Sequence, residues 1–230
     1  MKLQDVCCLS VILFCFALSG CASFSSGRSA QVDRGLSCHI KAGATIPPSR
    51  ETWWFWDIGS DCPLCYSKSI PIAEVGLHYG FKLSETSRPF SIGLLVGGDV
   101  PQAEIYAQLH EGEKEDYGIG GRLGLLTGWY SHQLFFLYDR QLGEDLKLLI
   151  NPGLFYHTGQ SPNGANTGSL LFFTQSVGLA FESDYYTFTP CVSLIAGKGK
   201  LSIASMPPTR KFSDTFVTAW LGITFHKKQN

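Results

Sequence analysis

From residue 72 onward the chain alternates between apolar and polar positions with a period of two. Over 72–83, Ala73, Val75, Leu77, Tyr79, Phe81 and Leu83 fall on one face and Glu74, Gly76, His78, Gly80 and Lys82 on the other, which is strand geometry. Strands are likewise expected at 90–98, 103–109, 117–130, 132–140, 146–157, 168–181, 186–196, 200–205 and 216–225, with an earlier one at 38–46 stopped by Pro47-Pro48. Gly98-Asp99-Val100-Pro101 has the composition of a tight turn and joins two of them as a hairpin. No stretch sustains a long helical period. The expectation is one all-β domain over 37–230, an antiparallel up-and-down β-barrel of about 8–10 strands, the count depending on a turn at Gly197-Lys198-Gly199. Its connections alternate at first, long at 84–89 and 111–116, short at 98–101 and near Ser131, until the polar loop 158–167 breaks the rule.

Alternation does not say which face looks outward; composition does. Charged residues make up 16% of the chain, against about 25% in ordinary soluble domains, beside 25 glycines and 16 phenylalanines. A soluble barrel coats its outside with charge. Here the polar faces carry small residues, as in the last strand with Thr218, Trp220, Gly222 and Thr224, and these crowd well inside a narrow barrel. The pattern therefore reads as a barrel of the outer-membrane type. Its lumen would take Glu74, Lys82, Arg122 and Lys147, where charged pairs close a small barrel rather than conduct. Trp53-Trp54-Phe55-Trp56 suits either a core or the membrane interface, where amphipathic rings are favoured. A net charge of −1 leaves no basic footprint for nucleic acid.

The apolar run 6–18 has the length of a signal-peptide core and falls short of the roughly 20 residues of a spanning helix. It ends in Leu18-Ser19-Gly20-Cys21, which resembles the lipobox of bacterial lipoproteins. The resemblance implies a signal peptide over 1–20 and acylation of Cys21. Because neither Ala22 nor Ser23 is the aspartate of inner-membrane retention, it also implies a lipid-anchored place in the cell outer membrane. Several acyl chains on one cysteine make a lasting anchor. Residues 21–36, small and polar, are expected to form a flexible tether. At the other end Val217, Ala219, Leu221 and Ile223 alternate up to Phe225, which resembles the C-terminal β-signal of outer-membrane proteins, although His226-Lys227-Lys228-Gln229-Asn230 follows the aromatic. The two resemblances imply outer-membrane lipid, the barrel-assembly machinery and the lipoprotein-sorting machinery as partners.

Of eight cysteines, Cys7, Cys8 and Cys15 leave with the leader and Cys21 takes the lipid. Cys38, Cys62, Cys65 and Cys191 remain as disulfide candidates with the pairing open, a Cys38–Cys191 bond being one way to pin the N-terminal segment. Cys62-Pro63-Leu64-Cys65 has no second pair or nearby histidine to complete a zinc site, so neither metal nor cofactor is expected. The catalytic candidates are His78, His157 and Ser161. Lipid A palmitoyltransferases are similar in carrying a histidine in the first strand, here Gly76-Leu77-His78-Tyr79, and in a last strand around Ala219-Trp220. Where their Asp-Ser partner follows the third strand, this chain has His110-Glu111. His157-Thr158-Gly159-Gln160-Ser161 loosely resembles the His/Ser arrangement of lipid A deacylases. These likenesses imply a lipid A-modifying enzyme as the alternative reading, and a periplasmic lipidated β-domain binding a small ligand is a third. No spacing guarantees the base, nucleophile and orienting acid that a hydrolase needs. The leading expectation is an envelope-structural or surface-interaction barrel.

Overall fold

The alternating segments pair edge to edge until no edge is left unpaired, which is how a sheet buries all its backbone groups without water. The computed structural model describes residues 27–46, 70–84, 87–97, 101–124, 129–160, 166–203 and 206–226. Its strands are β1 (Gly35–Ile46), β2 (Ile70–Phe81), β3 (Phe90–Val96), β4 (Gln102–His110), β5 (Glu115–Gly124), β6 (Trp129–Gly143), β7 (Leu146–Gln160), β8 (Asn166–Glu182), β9 (Tyr186–Ile203) and β10 (Met206–Phe225). Each pairs antiparallel with its chain neighbours, and β1 closes the barrel on β10, with Cys38 opposite Phe225 and Ile46 opposite Val217. The all-β antiparallel barrel is as expected, at ten strands.

Three details differ. β9 runs straight through Gly197-Lys198-Gly199, where a turn was one possibility. A Cβ on Gly197 would strike the Phe172 ring, and one on Gly199 the backbone at Ser169, so these glycines make room for neighbours rather than reverse the chain. β10 starts at Met206, well before the expected 216. Finally, the long–short alternation of loops does not hold. One rim carries both ends of the barrel with connections 82–89, 111–114, 144–145 and 183–185, while the far rim carries 47–69, 97–101, 125–128, 161–165 and 204–205. Counting from residue 72 missed that the longest connection, 47–69, shares a rim with 97–101.

The faces sort as the composition implied. On β9 the outward positions are Tyr186, Phe188, Pro190, Val192, Leu194 and Ala196; on β10 they are Val217, Ala219, Leu221, Ile223 and Phe225. The β9 run covers ten residue steps, about 24 Å at ~3.4 Å per residue and ~45° tilt, close to the apolar band of outer-membrane barrels. Rings gather toward the rim that bears the ends: Phe81 with Phe90 (centroids 3.9 Å apart), Tyr117 with Tyr138 (5.4 Å) and Phe181 with Phe188 (6.2 Å). Inside, Glu74, Arg122 and Lys147 are buried as expected, together with Lys41, Glu104 and Asp139. Lys82 departs from the expectation, because it lies beyond the end of β2 and is only half-buried.

Two fillers occupy the lumen. Phe155, Leu170, Phe172, Ile195 and Phe216 pack together toward the far rim. The other filler is a correction to the sequence reading: residues 27–34, expected within a flexible tether, lie inside the barrel, and Gly35 and Leu36 already belong to β1. Ala30 and Val32 are buried against Tyr106, Phe135 and Leu137. Gly35 sits at φ +87°, a left-handed conformation that glycine adopts without strain, where the segment turns into β1.

Candidate functional site

Inward-facing positions of β1, β2, β4 and β5 bring His39, Lys41, Glu74, His78, Glu104 and Arg122 together, because register sets Lys41 opposite Glu74 and Glu104 opposite Arg122. Arg28, carried in by the internal segment, completes the cluster. Its NH1 lies 3.1 Å from Glu104 Oε1, and its NH2 donates to His39 Nδ1 (2.6 Å) and His78 Nδ1 (2.9 Å). With Nδ1 accepting, each imidazole carries its proton on Nε2. His39 Nε2 then donates to Glu74 Oε1 at 3.0 Å, and His78 Nε2 lies 3.0 Å from Glu104 Oε1 but off the line of a good hydrogen bond, a dipole–charge contact instead. Lys41 Nζ approaches Glu74 Oε1 at 3.3 Å. Arg122 bridges both acids, to Glu74 Oε2 at 3.2 Å and through Nε to Glu104. Rings share the cations: Arg28 stands 5.3 Å from the Tyr106 centroid, Lys41 4.7 Å from Trp220 and Arg122 5.8 Å from Phe135.

The internal segment is fastened along its length. The Ser29 hydroxyl donates to Asp139, whose Oδ2 also accepts from the Ala30 amide at 2.8 Å. Gln108 Oε1 accepts from Val32 N (3.3 Å), Asn151 Nδ2 donates to the Arg28 carbonyl (3.1 Å), and Lys147 Nζ donates to Gln31 Oε1 (2.7 Å). Partners on β4, β6 and β7 thus satisfy a backbone that burial would otherwise leave unpaired. Between this segment and the wall remains a cavity of only about 50 Å³, edged by Arg28, Asp33, Ser37 and Glu182. A much larger hollow of about 980 Å³ lies over the outward Leu77, Ile92, Leu94, Ile105, Leu123 and Leu134, on the outside of the wall segments that carry His78, Glu104 and Arg122 on their inner face. It is apolar wall, and the polar chemistry is in the lumen.

His78 is therefore where the sequence placed it, on the inner face of β2, with its ring engaged by Arg28 and Glu104. His157 lies on β7, its side chain outside the described residues, as are Ser161, Cys21, Cys62, Cys65 and Trp53 to Trp56. Cys191 faces the lumen beside Trp220 with Thr189 and Ser193, as read from the alternation. Cys38 takes the outward parity of β1, and no disulfide joins the two: opposite faces of the wall keep them apart. Sequence reasoning missed His39, Lys41 and Glu104, which lie on strands it identified without assigning their faces, and Arg28, which it assigned to the tether. Among the described residues no group of three or more His, Cys, Asp or Glu is arranged to hold a metal ion.

No protein-family model matches the chain, and no curated protein matches it. Among solved structures it is similar to neisserial surface protein A, at 8% identity and a TM-score of 0.38 over 83% of this chain and 96% of that one. It is also similar to the NanC porin, at 9% identity and a TM-score of 0.43 over 82% and 98%. A triple mutant of the Rhodopseudomonas blastica porin aligns at 8% identity and a TM-score of 0.20 over 83% and 99%.

Proposed function

We propose that this protein is a lipid-anchored barrel of the bacterial outer membrane, serving as a closed structural or surface-interaction element of the envelope rather than as a pore. One observation carries the reading: polarity is inverted relative to a water-soluble barrel, with an apolar belt of membrane height outside and buried ion pairs inside. A periplasmic β-domain held only by its lipid would put that belt in water, where exposed apolar surface of this extent invites association. The rim bearing both ends faces the periplasm, and the rim with the 47–69 connection, by far the longest, faces outward, since outer-membrane barrels carry their longest loops outside. Cys21 carries the lipid. The internal segment and the aromatic cluster fill the lumen, which supports a closed barrel. For catalysis at His78, a nucleophile would need an unprotonated, free ring nitrogen as its base, but Nδ1 accepts from Arg28 and Nε2 carries the proton, facing Glu104.

The test is a gel on carbonate-washed membranes, with and without boiling, for the wild type and for Cys21→Ser. A heat-dependent mobility shift in a wash-resistant band is expected for both proteins, with loss of the acyl mass in Cys21→Ser. Release of Cys21→Ser into the wash, without a shift, would replace the embedded barrel by a tethered periplasmic domain.

A further inference from the structure

β8, β9 and β10 are the longest strands, and their outward rows change character toward the far rim. Register aligns Leu154, Phe173, Ala196 and Thr215 in one row; Tyr156, Leu171, Lys198 and Ser213 in the next; and Thr158, Ser169 and Lys200 in the last. The wall thus passes from apolar to cationic within three rows. A hollow of about 510 Å³ lies on this boundary, lined by Leu154, Leu171, Phe173, Ala196, Lys198 and Thr215. Lys198 and Lys200 are exposed, and neither has a carboxylate at ion-pair distance among the described residues. An apolar trough ending in two unneutralised cations is complementary to a molecule with an acyl tail and an anionic head. Basic side chains at a membrane surface strengthen association with anionic lipid about fivefold each.

Resting on the membrane-embedded reading above, we infer that this groove binds a membrane lipid of the outward leaflet, its acyl chain along Leu154, Leu171 and Phe173 and its headgroup phosphate between Lys198 and Lys200. The lipid bridges three strands at the height where the shorter neighbouring strands give no support. It also neutralises the cation row.

The mature chain, folded in dodecylmaltoside, would be examined by native mass spectrometry with diphosphoryl lipid A as probe and phosphatidylcholine as the neutral comparison. Wild type is expected to retain lipid A adducts in preference to phosphatidylcholine. K198Q/K200Q should lose about 25-fold in apparent affinity, and K198R/K200R should stay within about twofold of wild type. Equal lipid A binding by K198Q/K200Q, no preference over phosphatidylcholine, or displacement by excess inorganic phosphate would each overturn the inference. Heat-modifiability of the same samples separates the two readings. If wild type and variants shift on boiling while lysine removal changes nothing, only the lipid site fails; if wild type does not shift, the embedded barrel fails and takes the lipid site with it.

Discussion

Replacing Glu104 by alanine removes the acid on which two buried arginines converge. In the intact cluster Arg28, Lys41 and Arg122 face Glu74 and Glu104, three cations against two carboxylates with both imidazoles neutral; without Glu104 it is three against one. Deleting one partner of a buried pair costs ~3–5 kcal/mol because the other charge is left desolvated. Arg122 keeps Glu74 at 3.2 Å, which argues for the lower end, about 3 kcal/mol. With an m-value of about 2 kcal/mol/M, the urea midpoint should fall by roughly 1.5 M. The assay is urea unfolding from vesicles, followed by tryptophan fluorescence, for which Trp220 is a lumen reporter, and by the heat-shift gel. The triple replacement R28M/E104L/R122M removes two cations and one acid and leaves Lys41 paired with Glu74, so it should return to within ~1 kcal/mol of wild type, as apolar substitutes for buried ion groups often do. A Glu104→Ala shift below about 0.5 M, or a triple variant less stable than Glu104→Ala, would refute the view that this cluster is a coupled charge network.

Three further outcomes are expected. Deleting residues 27–34 should turn a silent barrel into a conducting one in planar bilayers, and continued silence would mean that the aromatic cluster alone seals the lumen. Val192→Arg, at mid-belt and 53% exposed, should destabilise the membrane-folded protein by ~2–4 kcal/mol, whereas a cost near zero would place β9 outside the bilayer. Gly197→Val should displace the Phe172 ring and cost ~1–3 kcal/mol; indifference in the unfolding midpoint would restore the turn at Gly197-Lys198-Gly199.

The strands were legible because period-two alternation is a local signal, and Ala73 through Phe81 shows it without help from the rest of the chain. Face assignment came from composition rather than pattern: the low charge and the small residues of the polar faces put lipid outside, and Glu74, Arg122 and Lys147 then fall in the lumen, where they are buried. The pairings within that lumen were not legible. Glu104 meets Arg122 only because two strands close in one register, and Arg28, ahead of β1, reaches Glu104 on β4 across three intervening strands. Residues 27–34 read as a tether because their own composition is that of one; what holds them is Asp139, Gln108, Asn151 and Lys147, far away in sequence. Gly197-Lys198-Gly199 misled in the opposite direction, since glycine marks close packing as readily as it marks a turn.

Strand number explains why a segment of the chain ends up inside its own barrel. Barrel diameter grows with the number of strands, and about eight give an interior that wall side chains alone can fill. Ten leave room to spare. Toward the far rim that room is taken by large residues from the longer strands, Phe155, Phe172 and Phe216. Toward the other rim the inner walls of β2, β3 and β5 do the reverse and present glycine. A Cβ on Gly80 would meet the Asp33 carbonyl, one on Gly93 the His78 ring, one on Gly118 the Ala30 carbonyl at 3.4 Å, and one on Gly120 the Phe135 ring. The glycine-lined wall is therefore the complement of the inserted segment, and the two belong to one packing solution. The ion pairs follow from it: a polar segment brought into a desolvated lumen needs partners for Arg28 and its peptide groups, and Glu104, Asp139 and Asn151 provide them. On this argument larger residues at Gly80 and Gly118 should expel the segment rather than unfold the strands, which protease cleavage within 27–34 in an otherwise heat-modifiable barrel would reveal. Cleavage no faster than in wild type would detach the segment from the wall's design.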